Sequence, residues 1–251
     1  MSELNGKRIF ITGSAAGIGR AIASLALEQG AQVVVSDLDA AAAEATAAEL
    51  GAAGTASCDV SDEAAVQAAV AEAVGILGGL DVLVNNAGIE VASPLVQQST
   101  ESFDRIFAVN VRGPFVATKA AVPHLVESGG NIVNIASIAG LGGSPLLGSY
   151  CATKAALIQL TRVTAVELRA SGVRVNAVCP GFADTSMVDR LRPDFEGATQ
   201  VPFGDLVAAK QGRLGTPRDI AEVACFLASD RASWITGSSY VLDGGLTASL
   251  V

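Results

Sequence analysis

The sequence contains few of the residues on which metal sites, many hydrolases and disulfide-stabilised proteins depend. Its 251 residues include one histidine and four cysteines, and only 4% of them are aromatic. A zinc site with several histidine ligands is therefore excluded, and a serine hydrolase would have to use His124, which lies in a helical pattern. The cysteines are widely separated and form no C-x-x-C pair. This spacing argues against a cysteine-rich metal site and favours a reducing, cytoplasmic setting.

Basic residues are also scarce, since the chain has 16 Lys and Arg against 25 Asp and Glu, a net charge of −9. Nucleic-acid binding requires clustered cations, so we do not expect it here. An acidic carrier protein would be repelled over much of the surface. Although half of the residues are hydrophobic, no apolar run is long enough to span a membrane, and the first residues do not form a signal peptide. The sequence thus predicts a protein without nucleic-acid or membrane partners.

The chain is rich instead in short apolar runs that alternate with helical patterns. Strands are predicted over 8–12, 32–36, 55–58, 81–85, 131–135, 173–178 and 239–242. Helical patterns extend from the first turn to about residue 29 and then cover 40–50, 63–77, about 101–126, about 150–171 and 220–228. Apolar strands that alternate with helices form a parallel sheet covered on both faces. We therefore predict an α/β protein with a Rossmann fold, a doubly wound sheet of seven parallel strands.

The predicted domain extends over residues 1–251, since neither a linker nor an internal repeat divides the chain. The length would also allow two small domains, which this continuity makes the poorer interpretation. One segment differs from the rest, because residues 184–212 contain several prolines and glycines and have weak periodicity. We expect this segment to be an inserted lid over the substrate.

A glycine-rich turn follows the first predicted strand. It reads TGSAAGIG from Thr12 to Gly19 and opens the first helix. Glycines let the backbone turn sharply and approach a pyrophosphate, and the helix directs free N–H groups at that anion. The position after a strand and before a helix is the context that a dinucleotide site requires. The alternative is a plain tight turn without a ligand.

An acidic residue, Asp37, ends the second predicted strand about 20 residues beyond this turn. A carboxylate at this position accepts hydrogen bonds from the adenosine ribose and repels a 2′-phosphate. NADP would need a nearby cation, which the four neighbouring residues Ser14, Ala15, Ala16 and Leu38 do not offer. The sequence therefore favours NAD, unless Asp37 only caps the next helix. A methyltransferase would use a similar turn and acid.

Further motifs occur in order along almost the whole chain. They are Asn85-Asn86-Ala87-Gly88, Asn110, Ser137, Tyr150-Cys151-Ala152-Thr153-Lys154, Pro180-Gly181 with Thr185, and Asp243-Gly244-Gly245. With the T-G-x-x-x-G-x-G turn, this set resembles the short-chain dehydrogenase/reductase family. The resemblance implies an NAD-dependent enzyme that interconverts a secondary alcohol and a ketone. A methyltransferase would have no use for the tyrosine–lysine pair.

The resemblance also implies a set of cofactor contacts. They would come from Gly13, Ala16, Gly17, Ile18, Gly19, Asp37, Leu38, Asp59, Val60, Asn86, Ala87, Gly88, Tyr150, Lys154, Pro180, Gly181, Ala183 and Thr185. At Ala183 the family often has isoleucine or valine, so we expect a looser wall there. Members of the family commonly form homotetramers or dimers through helices that correspond to about 101–126 and 150–171.

Four polar residues are the candidate catalytic groups. Tyr150 can take or give the proton of an alcohol, but the ordinary pKa of tyrosine, about 10, is too high for a base at neutral pH. Lys154 follows at i+4 on the same helix face, so with the positive nicotinamide ring it is expected to lower this pKa. Ser137, just after a strand, can hydrogen-bond the substrate oxygen. The resemblance implies that Asn110 holds a water molecule that links Lys154 to solvent. The alternative is a buried asparagine that is hydrogen-bonded to the backbone.

The candidate pocket walls are mostly apolar, which favours a hydrophobic secondary alcohol or ketone, cyclic compounds included. They are Ile89, Glu90, Val91, Ile138, Leu141, Leu146, Leu147, Phe182, Met187, Leu191, Phe195, Phe203 and Leu206. Glu90 is the one charged member, and it either selects a polar group of the substrate or faces water. Two alternatives remain open: an acyl-carrier ketoreductase, which Asp37 and the acidic charge disfavour, and a non-catalytic NAD-binding sensor.

Overall fold

A computed structural model describes residues 3–248 and contains the predicted seven-stranded parallel sheet, in the order β3-β2-β1-β4-β5-β6-β7. The strands are β1 (Arg8–Thr12), β2 (Gln32–Ser36), β3 (Gly54–Thr55), β4 (Val82–Asn85), β5 (Asn131–Ile135), β6 (Arg174–Pro180) and β7 (Ser239–Leu242). The strand order reverses between β1 and β4. Ligands of doubly wound sheets bind at the carboxyl ends of the strands beside such a reversal. The fold prediction is confirmed.

Helices cover both faces of this sheet. They are α1 (Gly17–Glu28), α2 (Ala40–Leu50), α3 (Glu63–Leu77), α4 (Thr100–Phe107), α5 (Gly113–Ser128), α6 (Gly148–Leu168), α7 (Ser186–Thr199), α8 (Phe203–Lys210) and α9 (Pro217–Ala228). Side chains of β1 alternate between the two layers, because Ile9 and Ile11 pack with α1 and α9 whereas Phe10 packs with α3 and α5. No helix among residues 3–248 is both long and apolar enough to cross a membrane.

The helix predicted over about 101–126 is divided by a π-helical turn. The turn spans Ala108–Arg112 and separates α4 from α5. In a regular helix the N–H of residue 114 would donate to the carbonyl of Asn110, but Pro114 has no N–H. The helix therefore widens at Asn110. Such turns occur frequently at functional sites.

Two strands also differ from their predicted bounds at the sheet edge that carries the site. The strand predicted over 55–58 is shorter and begins earlier, at Gly54, because only two of its residues pair with β2. The strand predicted over 173–178 continues to Pro180, whose register partner is Leu242 of β7. The longer β6 brings its last residues to the carboxyl edge.

The segment predicted as a lid contains regular structure, the helices α7 and α8. Its apolar residues Val188, Leu191, Phe195, Phe203 and Val207 form a separate cluster together with Leu147, which precedes α6. Gln211 fixes the end of the segment, because its buried side-chain amide donates to the carbonyl of Phe182 at 2.7 Å and its oxygen accepts from the Phe182 N–H at 2.8 Å. Residues 186–210 are called the lid segment below.

Candidate active site

A cavity of about 820 Å³ opens at the carboxyl edge of the sheet and extends beneath the lid segment. Its lining includes the predicted catalytic residues Ser137, Tyr150 and Lys154. It also includes every predicted cofactor contact except Gly19, which lies just behind the lining. Asn110 is buried outside it. The topology thus brings residues from the whole length of the chain to one place.

Two glycines of the TGSAAGIG turn are required by close contacts rather than by the turn alone. Gly13 has φ +63°, and a Cβ there would lie 2.8 Å from Cα of Ala87. A Cβ on Gly19 would lie 2.3 Å from the Gly13 carbonyl oxygen and 2.5 Å from Nδ2 of Asn86. Asn86 secures this contact, since Nδ2 donates to the carbonyl oxygens of Thr12 at 3.0 Å and Gly13 at 2.7 Å. Neither Gly13 nor Gly19 can therefore be replaced by a residue with a side chain without displacing its neighbours.

The N-terminus of α1 faces the cavity and lacks a side-chain cap. Its N-cap residue is Ala16, and the first turn contains no acidic residue. By contrast, α2 and α3 are capped by Asp39 and Asp62. Uncapped N–H groups and the positive end of the helix dipole form a site for an anion. The residues present therefore fit the pyrophosphate of a dinucleotide.

Asp37 lies at the end of β2 and lines the cavity. Its Oδ2 accepts from the N–H of Ala15 at 3.2 Å, which links it to the glycine-rich turn. Asp39 is the residue that caps α2, so the alternative in which Asp37 only caps the next helix is wrong. The neighbouring Leu38 is 65% exposed.

A cation that the sequence did not predict lies on the same side of the cavity. Arg105 on α4 lines the cavity and forms an ion pair with Asp59 at 3.5 Å. Hydrogen bonds from Ser61 and the charge of Arg105 lower the pKa of Asp59. Asp59 and Val60 both line the cavity, as predicted from the resemblance. The sequence analysis did not single out Arg105, because its ion pair with Asp59 joins two segments that are distant along the chain.

Tyr150 and Lys154 lie on α6 and face the cavity with Ser137. The Lys154 Nζ is buried, donates to the carbonyl oxygen of Ile135 at 2.9 Å and lies 5.6 Å from the centroid of the Tyr150 ring. The Ser137 hydroxyl accepts from the N–H of Ala139 at 3.1 Å. A phenol, an ammonium group and a hydroxyl thus lie together in the lining of the cavity.

Burial changes the proton affinities of this group. It raises the pKa of Tyr150 to about 12, with the charge of Glu90 as a smaller cause, while the nearby Ser137 hydroxyl opposes the rise. Burial lowers the pKa of Lys154 to about 8. Among the chain's own groups, burial therefore dominates the pKa of Tyr150. The lowering predicted from Lys154 together with the positive nicotinamide ring stays a prediction.

Asn110 lies in the π-helical turn, and its side chain is fully used by neighbours. Oδ1 accepts from the N–H of Ile89 at 2.9 Å, and Nδ2 donates to the Ile89 carbonyl at 2.8 Å and to Thr153 Oγ1 at 3.1 Å. A Cβ on Gly88 would lie 3.4 Å from both Asn110 Oδ1 and Lys154 Nζ. Asn110 thus fixes the loop after β4 beside Lys154. Its predicted water-mediated role stays a prediction.

The substrate end of the cavity is largely apolar. The predicted wall residues that line it are Ile89, Ile138, Leu147, Phe182, Met187, Leu191, Phe195 and Leu206. Five other predicted wall residues do not line it, namely Glu90, Val91, Leu141, Leu146 and Phe203. Phe203 is instead buried in the lid segment, and Leu141 is 46% exposed. Ala183, by contrast, is both buried and part of the lining.

Glu90 neither faces water nor lines the cavity. Its side chain is only 8% exposed and pairs with Arg190 of α7 at 2.9 Å. Arg190 itself lines the cavity. The sequence could not reveal this pair, because its members are 100 residues apart and come from two different elements. No cluster of three or more His, Cys, Asp or Glu side chains that could hold a metal occurs in the part of the chain that is described.

Comparisons with known proteins agree with this geometry. A family model described as "Enoyl-(Acyl carrier protein) reductase" matches residues 13–247. The chain is 43% identical to 2-(S)-hydroxypropyl-CoM dehydrogenase 3 of Xanthobacter autotrophicus, over 98% of this chain and 99% of the relative. It is 41% identical to sorbitol dehydrogenase of Cereibacter sphaeroides, over 97% and 98% of the two chains. The crystal structure of levodione reductase has a TM-score of 0.92 and 32% identity, covering 98% of this chain and 99% of that one.

The chain belongs to the short-chain dehydrogenase/reductase family. Its relatives include dehydrogenases that act on CH–OH groups. This class interconverts alcohols and ketones of small molecules with a nicotinamide cofactor, NAD or NADP.

Proposed function

We propose that this protein is an NAD-dependent dehydrogenase of hydrophobic secondary alcohols, with Tyr150 as its acid/base. The observation that carries the proposal is the grouping of Tyr150, Lys154 and Ser137 at the apolar end of the cavity whose other end holds Asp37. The bound cofactor would supply the hydride acceptor or donor. The residues of this chain would bind both partners, exclude water and move the proton.

Each of the polar residues has a role that follows from its position. The Ser137 hydroxyl would hydrogen-bond the substrate oxygen and share the charge that develops there. The phenol of Tyr150 would take the proton of the alcohol or return it to the ketone. Lys154 would stabilise the phenolate by its charge, since its ammonium lies 5.6 Å from the ring centroid.

The preference for NAD is supported by two features of the adenine side. Asp37 directly follows β2 and lines the cavity, where a 2′-phosphate would meet its carboxylate. Arg105 also lies in the lining, but it is already paired with Asp59. A charge already compensated in this way attracts a phosphate less than a free cation does.

The substrate class is supported by the apolar walls and by the lid segment. The predicted acyl-carrier ketoreductase is the weaker alternative, because the net charge of −9 opposes an acidic carrier. A non-catalytic sensor would not need Tyr150, Lys154 and Ser137 together. We also propose that the chain assembles as a homotetramer or dimer, supported by the exposed apolar residues Phe115 on α5 and Val166 on α6.

Replacing the proposed acid/base tests the assignment. The variant Tyr150→Phe should lose on the order of 10³-fold in turnover while its affinity for NAD stays within a few-fold of the original. Turnover is measured from NADH formation and affinity by calorimetry. Near-normal turnover in this variant would exclude Tyr150 as the acid/base.

A further inference from the structure

An ion pair with a buried carboxylate connects the loop after β4 to the lid segment. Two nitrogens of Arg190, Nη2 at 2.9 Å and Nε at 3.0 Å, contact the same oxygen of Glu90. The Glu90 side chain is 8% exposed, whereas that of Arg190 is 62% exposed. A carboxylate that is removed from water in this way depends strongly on its partner.

The two members of the pair differ in how they are held. The backbone beside Glu90 is fixed, because both the N–H and the carbonyl of Ile89 bond to the side chain of Asn110. Arg190 belongs to α7, whose apolar side packs with α8 and with Leu147. The ion pair therefore joins α7 to the fixed loop after β4.

Glu90 also acts on Tyr150 through its charge, which raises the pKa of the phenol. The other groups that affect this phenol are Ser137, which lowers its pKa, and Cys151, which raises it. Lys154 lies over the ring from the same helix. Lys154 in turn faces the Cys179 thiol of β6, whose pKa burial raises to about 11. A negative charge at Glu90 opposes formation of the phenolate, and Arg190 is the cation that offsets it.

We propose that Arg190 is a positioning residue that acts on Tyr150 through Glu90, so that its charge offsets that of the Glu90 carboxylate and prepares the phenol for proton transfer. This inference rests on the proposed role of Tyr150 as acid/base. It gives the lid segment a second task besides covering the substrate.

The pH profile of kcat/KM for the NAD-dependent oxidation of a secondary alcohol, for example cyclohexanol, tests the inference. The variant Arg190→Gln leaves Glu90 without its partner, so the midpoint of the rising limb should move up by about 0.5 to 1 pH unit. Below the midpoint this corresponds to a loss of roughly three- to tenfold in kcat/KM. The variant Glu90→Gln should move the midpoint down. The double variant should return it close to that of the original enzyme.

A control on the same helix separates charge from packing. Arg192 pairs with Asp189 and lies 5.5 Å from the centroid of the Phe203 ring, so Arg192→Gln disturbs the lid segment without a change at Glu90. This control should leave the midpoint in place even where kcat/KM falls.

Equal midpoints in all of these variants would overturn the inference, and so would a change of the same sign for Arg190→Gln and Glu90→Gln. If Arg190→Gln does not fold, Glu90→Gln alone tests the inference, and a midpoint that does not move down overturns it. The proposed function fails separately, when Tyr150→Phe remains active. An inactive Tyr150→Phe together with unchanged midpoints would leave the proposed function standing and remove only the role of Arg190.

Discussion

Phe203 offers the strongest test of the lid segment, because it is buried in the apolar cluster yet does not line the cavity. It is 1% exposed and packs edge to face with Phe182, with ring centroids 5.2 Å apart, and more loosely with Phe195 at 6.1 Å. Truncation of a buried phenylalanine to alanine costs about 3–5 kcal/mol, of which aromatic pairing contributes roughly 0.5–1.5 kcal/mol. The variant Phe203→Ala should therefore loosen the packing of α7 and α8 over the cavity.

A loss of about 3 kcal/mol corresponds to roughly a 100-fold change in the equilibrium between packed and open lid segments. We expect kcat/KM for the alcohol to fall by about 10- to 100-fold and hydrogen exchange to increase in peptides from residues 186–210. The affinity for NAD should change by less than about threefold, because the glycine-rich turn and Asp37 are not touched. Mass spectrometry of exchange and steady-state kinetics measure these quantities.

The matched control is Phe203→Leu, which keeps most of the buried volume and should cost less than about 1.5 kcal/mol. The reasoning is refuted if Phe203→Ala leaves kcat/KM and local exchange unchanged. It is also refuted if exchange increases uniformly over the strands, since the lid segment would then not be a separate cooperative unit.

Two further predictions concern the cofactor cradle and the assembly. Gly19→Ala should abolish NAD binding in calorimetry, because the added Cβ would lie 2.3 Å from the Gly13 carbonyl oxygen. The control Gly75→Ala on α3 should bind NAD normally, because no atom lies within 4 Å of a Cβ added there. Normal binding by Gly19→Ala would contradict the close-contact argument. Light scattering should give two or four times the mass of the chain. Val166 is 67% exposed in the single chain, so Val166→Glu should reduce the measured mass. A monomeric original protein would exclude the proposed assembly.

The sequence predicts the central strands of the sheet well because they are buried on both faces and therefore consist mainly of apolar residues. The bounds of β1, β2 and β5 were predicted residue for residue, as were those of α2 and α3. The cavity lining was also largely predictable, since the cradle, Asp37 and Tyr150 each follow a strand or lie on a helix at a fixed position of the fold. These features depend on local pattern and on topology.

Other features depend on contacts between distant residues, and the sequence does not predict them. The pairing of Glu90 with Arg190 and of Asp59 with Arg105 joins separate elements, so no periodicity reveals either pair. The π-helical turn at Asn110 was missed because Pro114 is also compatible with the first turn of a helix.

The helices of the lid segment were not predicted for a similar reason. The prolines and glycines of residues 184–212 weaken the periodicity, although α7 and α8 form there. Their stability comes from the apolar cluster around Phe195 and Phe203 rather than from local propensity. Tertiary packing of this kind leaves only a weak signal in the sequence.

The central claim is NAD-dependent oxidation of a secondary alcohol, and one measurement tests it most directly. The purified protein is mixed with NAD or with NADP and a panel of open-chain and cyclic secondary alcohols, and formation of the reduced cofactor is followed by absorbance. We predict reduction of NAD with at least one alcohol of the panel, and a rate with NADP that is lower by about tenfold or more because of Asp37. A clear preference for NADP, or no reduction across the panel while NAD still binds, would contradict the account.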